Sequence, residues 1–343
     1  MSKKKLAKII GVCSIAIMII VVITILPSCD SATPSKPIVV TNQCTNIATT
    51  SLKAQGEVTG GTNITRRGFY YDTGPLYGLE FDGINDQVVL PEGSRPTGAF
   101  TLAIRCKPAD WEHTANPMLF GGRGLRTYET SLSGITISRY QNQLYFDVAD
   151  GANEARRMIA PLITTIAPAG EWSFIVLTNS GVAEAEGLKL WRNSAVPVGN
   201  TTGAETVRWL DNFCRLGNNS TTLAFKGIVG EVRIYDRALD ATEIQTLYNG
   251  QDVTGDLRGF WKLDEGSGDT AYDSSGNDNH GSLEGDPEWL IGGDIVDETG
   301  EFGTGTYSLD ITGLKPDTSY WIMAFAENEL GIGYGKVVSC KTL

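Results

Sequence analysis

A strand pattern that stops and later resumes constrains this chain most. Ile38-Val39-Val40, Ser51 to Val58 and Ile64 to Tyr71 read as three strands, and the pattern then breaks at Gly74-Pro75. It resumes after Trp289, with Gly303 to Ile311, Tyr320 to Asn328 and a last strand ending at Leu343. Three strands cannot close a sandwich core. Residues 37–75 and 290–343 are each too short to fold well alone, but together they make one domain of ordinary size. Exposed loops tolerate inserted domains. The chain therefore reads as one interrupted sandwich holding a second domain, residues 76–289. The prediction is that Tyr70 and Tyr71 lie in the same small sandwich as Tyr320 to Ala326, and that the insert's ends near Tyr77 and Trp289 are close in space.

Gly is abundant, with 40 in 343 residues, and apolar runs beyond the N-terminus are short, which suits an all-β protein with many turns. The formal charge is −12; residues 1–28 hold four lysines and no acids, so the remainder carries −16. Such a body repels phosphate backbones, which excludes nucleic acid as a partner. Lys3, Lys4, Lys5 and Lys8 precede an uncharged apolar run from Ile9 to Leu26, the pattern of an exported or membrane-anchored chain. Leu26-Pro27-Ser28-Cys29 resembles a bacterial lipobox, with Pro27 unusual there. Residues 1–29 are thus either a lipoprotein signal ending at a lipidated Cys29 or an anchor helix that stays. Both place the body in the cell envelope, outside the cytoplasm. Residues 30–36 form a short linker.

Several runs in the insert carry a resemblance. Leu79-Glu80-Phe81-Asp82-Gly83-Ile84-Asn85-Asp86-Gln87-Val88, Gly170-Glu171-Trp172, Leu188-Lys189-Leu190-Trp191 and Phe225 to Leu239 resemble the strands of laminin G-like, concanavalin A-type jelly rolls. Phe260 to Gly268 and Asp273 to Asn277 resemble a segment that often opens such domains but comes last here. A permuted order needs neighbouring ends, as does insertion. In the flanks, Leu314-Lys315-Pro316-Asp317-Thr318-Ser319-Tyr320 resembles the tyrosine-containing corner of bacterial fibronectin type III modules, where the hydroxyl ties back to nearby backbone. The implied fold is a jelly-roll β-sandwich inserted into a smaller fibronectin type III-like β-sandwich, behind an N-terminal hydrophobic segment. Asp240 with Glu243 predicts a capped helix after the closing strand.

Outside the cytoplasm disulfides persist. Cys44 and Cys340 fall in the two outer halves, Cys106 and Cys214 in the insert, so one bridge per domain is one reading and buried free thiols the other. Asp82, Asp264 and Asp273 lie in Gly-rich turns and would be the carboxylates for a structural calcium; the alternative is that they cap their own turns. Gly230 stands where many relatives carry an Asp. Only His113 and His280 could serve a nucleophilic device, and both read as surface residues. The Glu-x-Asp-x-x-Glu run of some glycosidase relatives is missing, and Glu184 and Glu186 sit in a hairpin tip.

Strand parity selects a binding face. Leu102, Leu144, Leu188 and Val232 point inward with their alternates, so Arg105, Tyr145, Lys189, Trp191 and Arg233 point out. Aromatic faces among charged groups suit sugar rings, with Trp191 exposed and Trp172 in the core. The expected function is non-catalytic recognition of a glycan or surface polymer by a membrane-tethered protein. A spacer or adhesion module that binds protein partners is the alternative, and a divergent glycoside hydrolase a third.

Overall fold

The computed structural model describes residues 33–112, 116–121, 133–140, 143–149, 155–160, 163–209, 214–217 and 223–343. The apolar N-terminal run, Cys29 and His113 lie outside the described residues. No helix among the described residues is long and apolar enough to cross a membrane.

The flanking segments build one small two-sheet sandwich. Strands Ile38–Thr45, Ser51–Gly60 and Gly305–Thr312 form one sheet. Asp294–Phe302, Ile64–Asp72, Ser319–Asn328 and Gly331–Tyr334 form the other, with Val338–Lys341 also paired to Ser319–Asn328. Both sheets mix strands from before and after the insert. Tyr70 pairs with Met323 and Tyr71 with Ile322, so the two segments share the sandwich that the interrupted pattern predicts and, beyond that, pair directly. Alternation drives the packing: Leu52, Ala54 and Val58 are buried while Lys53, Gln55 and Glu57 between them are not. Gly56 completes that row because the Tyr307 ring lies over it; a Cβ there would sit 2.8 Å from Tyr307 Cζ. The Lys315 amide donates to the Tyr320 hydroxyl at 2.8 Å, the corner contact its motif implies. A Cys44–Cys340 disulfide joins the first and last strands.

Between Asp72 and Asp294 the chain makes a two-stranded exit and return. Tyr77–Asp82 pairs antiparallel with Glu288–Ile291, Leu79 opposite Trp289 and Tyr77 opposite Ile291. The insert's ends are therefore neighbours. The insert is a sandwich of two antiparallel sheets. The first runs Pro197–Thr201, Leu188–Arg192, Ser173–Asn179, Phe100–Pro108, Lys226–Tyr235, Tyr77–Asp82, Glu288–Ile291, with Leu257–Trp261 also on Lys226–Tyr235. The second runs Ala155–Ala160, Gln143–Ala149, Ile135–Tyr140, Met118–Gly121, Cys214–Gly217, Gln87–Leu90, Gly281–Glu284, Thr270–Ala271. Phe81, Phe100, Ile104, Phe146 and Trp261 pack between them.

Cys106 and Cys214 are buried and unbonded, which corrects the second expected bridge. They sit on opposed sheets of the sandwich. Packed sheets lie roughly 10 Å apart, further than the ~7 Å Cα separation a disulfide tolerates. Burial raises both thiols to about 12.

After the closing strand, residues 236–257 fold back over the outer face of the first sheet. The helix Ala241–Tyr248 lies there, started by a capping box: the Glu243 amide donates to Asp240 Oδ1 at 2.9 Å, and the Asp240 amide to Glu243 Oε2 at 3.0 Å. Its Ile244 and Leu247 pack on Phe174, Val176, Trp191 and Tyr235 in a second small core.

Candidate functional site

That helix overturns the sequence-based binding face. The alternation is correct, since Trp191 does point away from the core of Leu188 and Leu190. The face it occupies is roofed. Trp191 is 6% exposed, and its indole donates to Thr178 Oγ1 at 3.1 Å. Arg105 and Arg233 are also buried, bound on either side of Glu231 at 3.0 and 3.1 Å. Arg233 lies over the Phe260 ring at 3.8 Å. Lys189 is half-buried on the same sheet. Tyr145 belongs to the other sheet, where it is buried near Arg157. The five residues thus form no shared surface, and the expected exposed platform does not exist. An apolar outer face on a central sheet needs a cover, and Phe174, Val176 and Trp191 on that face find it in Ile244 and Leu247.

The calcium set is not brought together either. Asp82 Oδ1 caps its own turn, accepting from the Ile84 amide at 2.7 Å. Asp273 accepts from the amides of Phe260, Ser275 and Asn279 and from Ser275 Oγ. Burial works against its carboxylate, but these donors hold it below the usual range. Asp264 is exposed. Among the described residues no group of three or more His, Cys, Asp or Glu side chains is placed to hold a metal ion. The Asp273 oxygens are already engaged by four donors. His280 Nδ1 accepts from the Asp273 amide at 3.0 Å, a turn contact.

The joint between the domains offers a different site. A cleft of about 430 Å³ opens between the insert and the outer sandwich. From the insert come Lys107, Trp172, Asn193 and Tyr248, and from the outer sandwich Asp72 and Trp321. Asp72 ends the strand that leads into the insert. Its Oδ2 accepts from Trp172 Nε1 at 3.0 Å and pairs with Lys107 Nζ at 3.3 Å, so it ties both domains. Trp321 reaches the insert from the other side. The Arg105 guanidinium lies 4.8 Å from its ring and 4.4 Å from that of Phe174. Arg105 Nη2 also donates to the carbonyls of Leu247 and Tyr248 at 2.6 and 2.9 Å, where the helix's negative end favours a cation. Burial lowers the pKa of Arg105, opposed by Glu231. For Glu231 burial acts upward, yet Arg105 and Arg233 hold it below the usual carboxylate range.

Glycines make this close approach feasible. A Cβ at Gly230 would lie 2.7 Å from Pro75 Cγ, and one at Gly74 would lie 2.2 Å from Trp172 Cγ. Gly230 is explained by Pro75 packed on it. Trp172 is accordingly a half-buried residue of the joint, which corrects its expected place in the core. The cleft can bind: it offers partly exposed aromatic rings and polar groups on both walls, preformed and fixed by cross-domain contacts. Sequence reading missed Trp321, Asp72 and Lys107. Parity gave a signal for Trp321, which alternates with the buried Tyr320 and Ile322, but nothing said what its face would meet.

Residues 82–245 match the family model of the concanavalin A-like lectin/glucanases superfamily, a laminin G-type model. No curated protein matches the chain. Among solved structures it is similar to the binding domain of Paraclostridial Mosquitocidal Protein 1, at 15% identity and a TM-score of 0.31 over 62% of this chain and 47% of that one. The chain thus spans about half of that relative's length. It is also similar to the Ruminococcus gnavus IT-sialidase CBM40 bound to alpha2,6 sialyllactose, at 13% identity and a TM-score of 0.34 over 51% of this chain and 100% of that one. The botulinum neurotoxin serotype D/C binding domain gives 12% identity and a TM-score of 0.39 over 90% of this chain and 81% of that one. Scores this low carry no weight for the ligand.

Proposed function

We propose that this chain, whose residues 82–245 form a laminin G-like domain, is a non-catalytic binding protein of the cell envelope that recognises a glycan or surface polymer in the cleft between its two domains. The observation that carries the reading is the cleft itself. Trp172, Tyr248 and Trp321 converge there from two domains, beside Lys107 and Asn193. Aromatic faces remove the apolar face of a sugar ring from water, and amides and charged groups bond its hydroxyls.

The outer sandwich serves as a fibronectin type III-like stalk. Its strand order supports that assignment, with three strands in one sheet facing four in a row in the other. The reading includes a tether at the N-terminus. The Ser35 carbonyl accepts from Asn328 Nδ2 at 2.8 Å, at one end of the strand Ser319–Asn328, while Trp321 near the other end meets the insert. Seven residues of strand separate them, about 23 Å. A tether before residue 33 therefore presents the jelly roll away from the envelope. A glycan array probed with the chain in detergent tests the reading. Binding to a defined set of glycans supports it. Binding to none, with protein partners captured instead, transfers the role to adhesion or spacing. Hydrolysis of any arrayed polysaccharide would make the protein an enzyme and refute it.

A further inference from the structure

The charges around the cleft restrict the ligand further. Six charged side chains line it with opposite signs in balance: Arg105, Lys107 and Lys315 against Asp72, Glu171 and Asp294. Two of the three cations are already engaged. Arg105 is buried and paired with Glu231, and Lys107 is paired with Asp72. Lys315 is exposed, and among the described residues it is the lining cation with no ion-pair partner. Glu171 and Asp294, both exposed, oppose it. A carboxylated or sulfated glycan would meet more unpaired negative than positive charge here, inside a body of formal charge −16 beyond residue 28. That field repels anions before contact. Freeing Lys107 for an anion would leave the Asp72 carboxylate beside it without its ion-pair partner.

We infer that the cleft takes an uncharged glycan, one of neutral hexose-type units, and that Trp321 of the outer sandwich supplies part of the binding surface, so that the site needs both domains. This rests on the glycan-binding reading above. The aromatic rings provide the attraction, and polar groups on both walls bond hydroxyls without a net charge requirement.

The test uses the full chain in detergent against immobilised neutral polysaccharides and against uronate-rich and sulfated ones, at low and high salt. The inference expects neutral glycans to be bound with affinity changed less than about twofold between 50 and 500 mM salt, because no phosphate-like counterion release is involved. Trp321→Ala should weaken that binding at least tenfold. Because Trp321→Ala could loosen the joint, its Tm is measured beside binding, and Trp321→Phe is the second variant: it keeps an aromatic face in the cleft and should lose less than about threefold in neutral-glycan affinity. Preference for anionic glycans, with affinity falling steeply with salt and lost in Lys315→Ala, would overturn the inference and leave glycan recognition standing. Neutral binding unaffected by Trp321→Ala would overturn the two-domain site. Binding to neither class would overturn the inference and the parent reading together.

Discussion

Placing an aspartate at Gly230 should loosen the joint. In the structure a Cβ there would lie 2.7 Å from Pro75 Cγ, 3.1 Å from Pro75 Cβ and 3.4 Å from the Trp172 ring. The proline ring cannot rotate away, so the linker must move. Overpacking of this kind costs about 1–3 kcal/mol. Displacing Trp172 also weakens its hydrogen bond to the Asp72 carboxylate, and bonds to charged groups contribute roughly 1.5–3 kcal/mol. The expected loss for Gly230→Asp is about 3–5 kcal/mol, lowering Tm by roughly 6–20 °C for a unit of this size. Gly303→Ala is the control: nothing lies within 4 Å of a Cβ there, so its effect should stay within about 0.5 kcal/mol. Calorimetry on the three proteins reads both. A Gly230→Asp protein as stable as wild type would refute the packing of the linker on this glycine, and with it the close joint that forms the cleft.

Asp86 supplies a pH test. Burial raises its carboxyl to about 6 from the ordinary 3.8, and its Oδ1 has no partner. A raised acid favours the folded state below pH 4, and that advantage is lost as pH rises through 6. Asp86→Asn should therefore stabilise the protein at pH 8 by roughly 2–3 kcal/mol and flatten the slope between pH 4 and 6, read from urea midpoints. Trp191→Ala should cost about 3–5 kcal/mol in the same assay, because the indole is buried under the helix; a neutral effect would contradict that placement. Loss of the Cys44–Cys340 bridge, which spans 296 residues, should cost roughly 3–5 kcal/mol, visible as a lowered midpoint on reduction. In protein lacking residues 1–29, Cys106 and Cys214 should react with a thiol reagent only after denaturation.

Local rules made the architecture legible. Alternation from Leu52 to Val58 and the broken pattern at Gly74-Pro75 led to an outer sandwich assembled from two distant segments. The Asp240 capping box was readable because cap spacing is local; the Cys44–Cys340 bridge was one of two open readings, and the same one-bridge-per-domain reasoning pointed to Cys106–Cys214, which stays unbonded. The binding face failed for a non-local reason. Parity says only that Trp191 leaves the core, while its exposure depends on where Ile244 and Leu247, more than fifty residues later, come to rest. Parity also cannot say that Tyr145 and Arg105 belong to different sheets. The cleft was illegible because each of its walls is ordinary alone. Trp321 and Trp172 become neighbours of one space only through the joint, whose sign in the sequence was the unexplained glycine at 230.

Hydrogen exchange with and without a glycan identified on the array tests the central claim most directly. Binding in the cleft predicts slowed exchange at residues 71–75, 171–174, 193 and 318–321, on both domains at once. Protection confined to the outer face of the second sheet, at residues 143–149 and 214–217, would contradict it and place recognition within the jelly roll alone.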